Sequence, residues 1–535
     1  MINIMIRQEI IKLIQKATGF SSEEIKVEWP AEKAYGDYST NIALRLKKDP
    51  EKLSLKLQSQ NPELFEKVEV AGPGFINFFI SKEYLQKQVK EIIKSRDNFG
   101  KLKIGKNKKV NVEFISANPT GPLTLGNGRG GFCGDVLANI LEKAGFKVER
   151  EYYINDTGEQ VKKLGHSVLA DSEAVYKGDY INYLKKKIKK GKAETVGNKA
   201  AKLVLKEMIK PTIRKMKIRF ENWFSEKSLY KNRETEKTLD FLRKKGLLYD
   251  KEGAVWFRSS DFGDDKDRVL IKADGQFTYF LSDIAYLKNK INRKFEMLFF
   301  IWGADHFGYI NRIKAAAEVF GVKKDNVKII IMQLVRLIQQ GKEVKMSKRA
   351  GTYVTLDELI DEVGLDVARF FFLSRASDSH LNFDLDLAKE QSEKNPVYYV
   401  QYAHARICSI IGKLNSKSAG READSSEGCT RNSKQILNSK SQIFKLLNHP
   451  AELALIKQLI RLPEIVEDTA KDYQVQRLPQ YSIDLATSFH QFYRDCRVLT
   501  EDNSLREARL VLVAATQIVL KNTLNLMGVS APTKM

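Results

Sequence analysis

Residues 110–131 read Val-Asn-Val-Glu-Phe-Ile-Ser-Ala-Asn-Pro-Thr-Gly-Pro-Leu-Thr-Leu-Gly-Asn-Gly-Arg-Gly-Gly. The first six residues, rich in β-branched and aromatic side chains, read as a strand. A loop rich in glycine and proline follows, residues 134–144 carry a helical pattern, and residues 146–153 read as the next strand. Strand, loop, helix and strand in that order open a doubly wound parallel sheet. Ligands of such sheets sit beyond the carboxyl ends of the strands, so chemistry is expected at this loop.

Two readings of the loop compete. Gly126, Gly128 and Gly131 satisfy G-x-G-x-x-G, and Glu149 and Glu151 lie about 20 residues on, as a dinucleotide-binding oxidoreductase requires. That fingerprint places its glycines directly after the strand, whereas here Ser116–Leu125 intervene. The longer loop suits a nucleoside triphosphate laid over the sheet with its phosphates near the helix start. A second run, Lys345-Met346-Ser347-Lys348-Arg349 followed by Gly351 and Thr352, offers two ammonium groups and backbone N–H donors to a polyphosphate. A basic surface loop is the weaker alternative for such a run taken alone.

Composition narrows the partners. A chain of 535 residues has room for about three domains. Its net charge of +23 implies a polyanionic partner, RNA or DNA ahead of membrane, unless it reflects lysine-rich usage in general. Cys133, Cys408, Cys429 and Cys496 lack C-x-x-C spacing, so neither a zinc site nor a disulfide framework is expected. The histidines are scattered and imply no metal. No apolar run approaching ~20 residues is evident and the N-terminus lacks a signal-peptide layout, which implies no membrane and a cytoplasmic location.

Working outward, residues 1–88 read as a small α/β module, with a helix over residues 4–14, strands at 68–70 and 75–80, and a turn at Gly72-Pro73-Gly74. A charged helix over 82–95 and the basic stretch 101–109 lead into the sheet-forming unit. Residues 155–265, mostly helical and lysine-heavy, read as an insertion, after which the sheet resumes at 269–272, 297–302 and 327–332. From residue 388 the chain reads as helical to its end, interrupted by a Ser-, Lys- and Asn-rich segment, 414–440. The fold class is a multidomain α/β protein: a Rossmann-type parallel-sheet domain (109–387), a small N-terminal α+β domain (1–88) and an all-α C-terminal domain (388–535).

The two motifs, in this order, resemble those of class I aminoacyl-tRNA synthetases. Ser116–Leu123 resembles the lead of arginyl-tRNA synthetases into the His-x-Gly-His box, and Lys345–Arg349 with Ala350–Leu356 resembles their second signature. Residues 366–372, 377–381, 398–406 and 527–535 resemble further segments of bacterial members, so the likeness spans almost the whole chain. One departure stands out: Thr124 and Asn127 occupy the places of the usual histidines. Both can hydrogen-bond, but neither can carry an imidazolium charge. A tRNA-binding relative without catalysis is therefore the second reading.

The resemblance implies a ligase that joins L-arginine to tRNA(Arg) with ATP and Mg²⁺, with activation dependent on tRNA, and a monomer. It implies that Lys345, Lys348, Thr124 and Asn127 act on the phosphates, and that Gly126, Gly128, Gly303, Asp305, His306, Met346 and Ser347 hold ATP. Glu113, Ser116, Asn118, Tyr279 and Asp283 would bind arginine, a task that needs carboxylates facing a guanidinium. Asp283 could instead cap a helix beginning at Ile284. Phe75 and Asn77 would touch the tRNA elbow, and Tyr402 and Arg406 the anticodon region, although a core role is the ordinary reading of aromatics at such spacings.

Overall fold

A computed structural model describes residues 5–189, 191–344, 355–419 and 443–535. The first helix, Ile6–Thr18, buries Ile6, Ile10 and Ile14 along one face. Three antiparallel strands accompany it: β1 (Tyr38–Thr40), β2 (Phe65–Ala71) and β3 (Phe75–Ile80), in the order β1-β3-β2. Helix Lys82–Ser95 then leads to the central sheet.

That sheet holds β4 (Lys109–Glu113), β5 (Lys147–Ile154), β6 (Asn222–Ser225), β10 (Met297–Gly303) and β11 (Val327–Met332), all parallel, in the order β11-β10-β4-β5-β6. Val110 and Val112 of β4 are fully buried. The strand order reverses between β4 and β10, which opens a crevice above Glu113 and Gly303. Between β6 and β10 stands a separate antiparallel sheet of β7 (Leu248–Lys251), β8 (Ala254–Phe257) and β9 (Arg268–Ile271). A third small sheet joins β12 (Val335–Gln339), β13 (Lys342–Glu343) and β14 (Leu381–Asp384).

Several sequence expectations change. The helix expected from Gly134 begins at Leu125, so the glycines of 126–131 are helical. Glycine costs a helix about 1 kcal/mol per residue, and close packing overrides that cost here. A Cβ on Gly128 would lie 2.5 Å from Leu356, on Gly131 2.7 Å from Met216 and on Gly134 2.4 Å from Phe114. The strand expected at 269–272 belongs to the antiparallel sheet, because β9 pairs with β8. Its place in the central sheet is taken by β6, four half-buried residues with no long apolar run. Segment 414–440 falls mostly outside the described residues, beyond helix Pro396–Ala419. Helix Asn503–Met527 is long and apolar enough to cross a membrane, which the sequence reading missed, but 72% of its apolar window is buried inside the protein.

Two buried charge networks join the parts. Glu464 in helix Leu462–Asp472 accepts from Tyr38 (2.8 Å) and Trp29 (2.7 Å) and pairs with Arg7, which also meets Asp468 at 2.9 Å. Arg369 in helix Leu365–Leu373 binds Asp135 of helix 125–143, the carbonyl of Met216 at 2.9 Å and the carbonyl of Met527. Burial pushes its pKa down to about 10, so it remains charged at neutral pH. Asp135 also faces Arg150 at 3.6 Å. Asp135→Ala would leave the buried Arg369 guanidinium without its carboxylate, while Arg150 keeps Glu142 at 2.7 Å, and should destabilise the protein by about 3–5 kcal/mol, measured as a fall in the urea unfolding midpoint.

Candidate active site

A cleft of about 1140 Å³ lies above the crevice between β4 and β10. Among its lining residues are Glu113, Ser116, Asn118, Thr124, Gly126, Asn127, Tyr279, Asp283, Gly303, Asp305 and His306. Scattered over nearly 200 positions in the chain, these expected residues meet in one place. Gly128 does not line the cleft; it is buried against Leu356 and serves packing.

One end of the cleft is anionic. Glu113, at the tip of β4, already has partners: Lys290 at 2.9 Å and the Tyr286 hydroxyl at 2.8 Å. Lys290 also meets Glu151 at 2.7 Å, and Arg293 pairs with the same carboxylate. Burial favours the neutral acid at Glu151, but Lys290 and Arg293 outweigh it and hold its pKa well below the usual carboxylate range. Glu113 is therefore the counter-ion of a buried lysine before any substrate arrives, which its place in the sequence does not show.

Asp283 and Glu226 are in the opposite state. Asp283 follows the first turn of helix Tyr279–Asn292, so it does not cap that helix. Burial, followed by Glu226 and Glu113, raises its pKa to about 7, with Arg312 opposing. Glu226 directly follows β6 and is also raised to about 7, by burial and then by Asp156. It accepts weakly from Tyr230 at 3.4 Å. Asn155, with its amide nitrogen turned toward it, donates at 2.8 Å. Two carboxyls without a paired cation among the described residues form a receptor for one. Sequence reasoning missed Glu226 because β6 was hidden in the lysine-rich insertion. The available signal was its position at the carboxyl end of a parallel strand.

The other end of the cleft is the start of helix 125–143. Thr124 and Asn127 form a capping box: Thr124 N and Oγ1 donate to Asn127 Oδ1 at 3.0 and 2.9 Å, and Asn127 N donates to Thr124 Oγ1 at 3.4 Å. Their side chains are thus partly spent on each other, leaving Asn127 Nδ2 as the side-chain donor of the pair. The first-turn N–H groups add the positive end of the helix dipole. Ile115 and Ser116, with φ of 65° and 38°, turn the chain sharply after β4. The Ser116 hydroxyl receives the Tyr153 N–H at 3.0 Å.

Lys345, Met346, Ser347 and Lys348 lie outside the described residues, but both flanks are placed. Val344 donates to Leu337 of β12, and Thr355 forms a β-bridge with Thr124 while Leu356 N donates to Leu123 O at 3.0 Å. The described segment that begins at Thr355 therefore sits beside the first motif. Beyond β10, His306 stands half-exposed near Trp302, with ring centroids 5.8 Å apart.

None of the expected RNA contacts, Phe75, Asn77, Tyr402 and Arg406, is among the residues lining the cleft. Phe75 is 41% exposed, whereas Asn77 is buried and accepts from Ser39 at 2.7 Å, so only Phe75 offers a surface. Tyr402 is exposed, and Arg406 lies over the rings of Tyr402 and Tyr493 at 5.6 and 4.6 Å.

Comparison with known proteins decides what this cleft belongs to. The family described as tRNA synthetases class I (R), catalytic domain, matches residues 88–370. The arginyl tRNA synthetase N terminal domain matches residues 4–80 and the DALR anticodon binding domain residues 400–535. An arginine–tRNA ligase of Halalkalibacterium halodurans is 43% identical, covering 99% of this chain and 98% of its own. The chain belongs to the arginyl-tRNA synthetases. An arginine–tRNA ligase of Carboxydothermus hydrogenoformans is 42% identical over 95% of this chain and 94% of its own. The Thermus thermophilus arginyl-tRNA synthetase shares the fold, with a TM-score of 0.78 at 22% identity, covering 99% of this chain and 100% of that one. The protein is thus an arginine–tRNA ligase that charges tRNA(Arg) with arginine, in a class that uses ATP. The oxidoreductase reading of the glycines falls: Gly128 and Gly131 are packing residues of a helix, and Gly126 lines the cleft.

The raised carboxyls have a measurable consequence. Asp283 and Glu226 are substantially protonated near pH 7, and a bound guanidinium favours their ionised forms. Arginine binding at pH 7 should release about one proton, and arginine affinity should rise as pH goes from 6 to 8. Calorimetry in buffers of different ionisation enthalpy measures this directly.

Proposed function

We propose that the anionic end of the cleft receives the arginine guanidinium, with Asp283 as its direct partner and Glu226 adding charge from behind Asn155. Glu113, neutralised by Lys290, shapes the field and orients Tyr286. Tyr279 covers the mouth, and Asn118 and Ser116 hold the α-amino end. The observation that carries this reading is the pair of carboxyls left without a paired cation among the described residues, beside Glu113 and Glu151, which each have one.

The α-carboxylate of arginine then lies toward the start of helix 125–143. ATP lies with its adenosine along Gly303, Asp305 and His306 and its phosphates on Gly126, Asn127 and the helix N-terminus. Lys345 and Lys348, with Met346 and Ser347 between them, complete the phosphate site. Attack of the arginine carboxylate on the α-phosphorus forms arginyl-adenylate and expels pyrophosphate. The 3′-terminal adenosine of tRNA(Arg) then takes the acyl group and AMP leaves. Stabilisation is chiefly electrostatic, from lysines and helix dipole acting on charge that develops at phosphate. Mg²⁺ enters with ATP; among the described residues no group of three His, Cys, Asp or Glu is arranged to hold a metal. Thr124 contributes by fixing Asn127 and the helix start.

The same reading assigns residues 1–88 to the tRNA elbow through Phe75, with Asn77 supporting the strand beneath it. It assigns residues 109–387, with the insertion at about 155–265, to catalysis, and residues 388–535 to the anticodon region through Tyr402 and Arg406. The enzyme acts as a cytoplasmic monomer, and activation requires tRNA. ATP–pyrophosphate exchange with arginine tests this: exchange should appear only when tRNA(Arg) is present. Exchange without tRNA would remove the dependence, and none under any condition would remove activation by this site. Asp283→Asn should raise the arginine KM about 100-fold, near 3 kcal/mol, with the ATP KM little changed. Glu226→Gln should give a smaller rise. An unaltered arginine KM in Asp283→Asn would exclude Asp283 from the site.

A further inference from the structure

Residues 155–233 carry 20 Lys and Arg against 9 Asp and Glu, a large part of the excess positive charge of the whole chain. The structure gathers part of it into a line. Helix Ala193–Val204 runs through the π-turn Leu205–Ile209 into helix Lys210–Lys215 with helical backbone throughout. Lys199, Lys202, Lys206, Lys210 and Arg214 recur along it at spacings of three and four, which places them on one side of the helix. Lys199, Lys202, Lys206 and Arg214 are exposed. Glu207, beside Lys206 in the chain, is turned to Lys187 (3.0 Å) and Tyr183 instead. Like charges at this spacing repel one another, so the row is costly without a polyanion against it.

Its surroundings connect the row to the cleft. Lys210 lies over the Trp223 ring at 4.6 Å, and Asn198 accepts a hydrogen bond from Lys227. Both contacts set the row beside residues 222–231, the segment that carries Glu226 and Tyr230 to the anionic end of the site. At its far end Lys215 pairs with Asp361 at 2.7 Å and donates to the carbonyl of Asp357 at 3.1 Å, on helix Leu356–Val363. That helix begins at the Thr124–Thr355 bridge. From Lys199 to Arg214 the row spans roughly 22 Å, enough for several successive phosphates of one strand.

We propose that this row is a docking surface for the sugar–phosphate backbone of the tRNA acceptor arm, the limb whose 3′ end must enter the cleft to be acylated. It rests on transfer of arginine to that end. Charge complementarity selects a nucleic-acid backbone, and the contacts at Trp223 and Lys227 select the arm nearest the active site. The three exposed lysines, Lys199, Lys202 and Lys206, supply sequence-independent attraction, while recognition of the particular tRNA lies elsewhere.

The test compares the full-length enzyme with Lys199→Ala/Lys202→Ala/Lys206→Ala and with the corresponding triple arginine variant. Binding of tRNA(Arg) and of a minihelix containing only its acceptor and T arms is measured as a function of salt. In the triple alanine variant both affinities should fall about tenfold or more, and the slope of log K against log salt should shrink by about 2–3, as expected for three lost phosphate contacts. The triple arginine variant should bind like the parent, and the KM values for arginine and ATP at saturating tRNA should be unchanged in both. Unchanged affinity and slope in the alanine variant would overturn the proposal while parental charging continued. Loss of tRNA binding with undiminished minihelix binding would overturn the assignment to the acceptor arm. Failure of the parent itself to charge tRNA(Arg) would instead strike the reading of the site.

Discussion

A single buried guanidinium, Arg369, keeps the parts of this synthetase in register. It touches Asp135 of helix 125–143, the end of the inserted helices at Met216 and the last turn of helix 503–527 at Met527. Each contact engages a different nitrogen, so the planar group acts as a three-way joint that a lysine could not reproduce. Gly528, in a left-handed conformation directly after Met527, leaves room for it: a Cβ there would lie 2.5 Å from the guanidinium carbon. The helix that Asp135 anchors begins at Leu125, so this joint and the proposed phosphate site share one element.

The catalytic cleft is organised by an unequal distribution of cations among its carboxylates. Lys290 and Arg293 serve Glu151 and Glu113 beneath the floor. Asp283 and Glu226 are left to raise their pKa instead. A cavity with both kinds of carboxylate side by side keeps its shape when empty and reserves its attraction for a cationic ligand. The low-dielectric wall of Tyr153 and Tyr286 makes that attraction stronger than it would be in water.

Elements with strong local signals were legible in the chain. The alternation of 110–115, the loop of 116–124, strands at 297–302 and 327–332 and the helical end all appear where local patterning puts them. Glu113 and Asp283 read as standing near strand ends that face the loop, whereas Asn118, Thr124, Asn127 and Tyr279 are assigned to the site by the resemblance to the family. β6 was not legible: four half-buried residues give no period, and they form a strand only because β5 offers an edge. The helical state of Gly126–Gly131 was hidden for the opposite reason, since propensity points to a loop and only the approach of Leu356 and Met216 makes small residues necessary.

The sequence by itself determined the presence of a parallel-sheet nucleotide fold, the order of its two phosphate motifs and the supply of acidic residues for a cationic substrate, because these depend on local residue type and spacing. Only the tertiary structure decided which acid already holds a cation. Glu113 and Asp283 look equally available in the chain, but the side chain of Lys290, 177 positions after Glu113, neutralises the first. Glu226, unnoticed in a lysine-rich stretch, is brought behind Asn155 to raise the second. Charge pairing acts through space, and contacts between residues far apart in the chain leave no periodic trace from which they can be read.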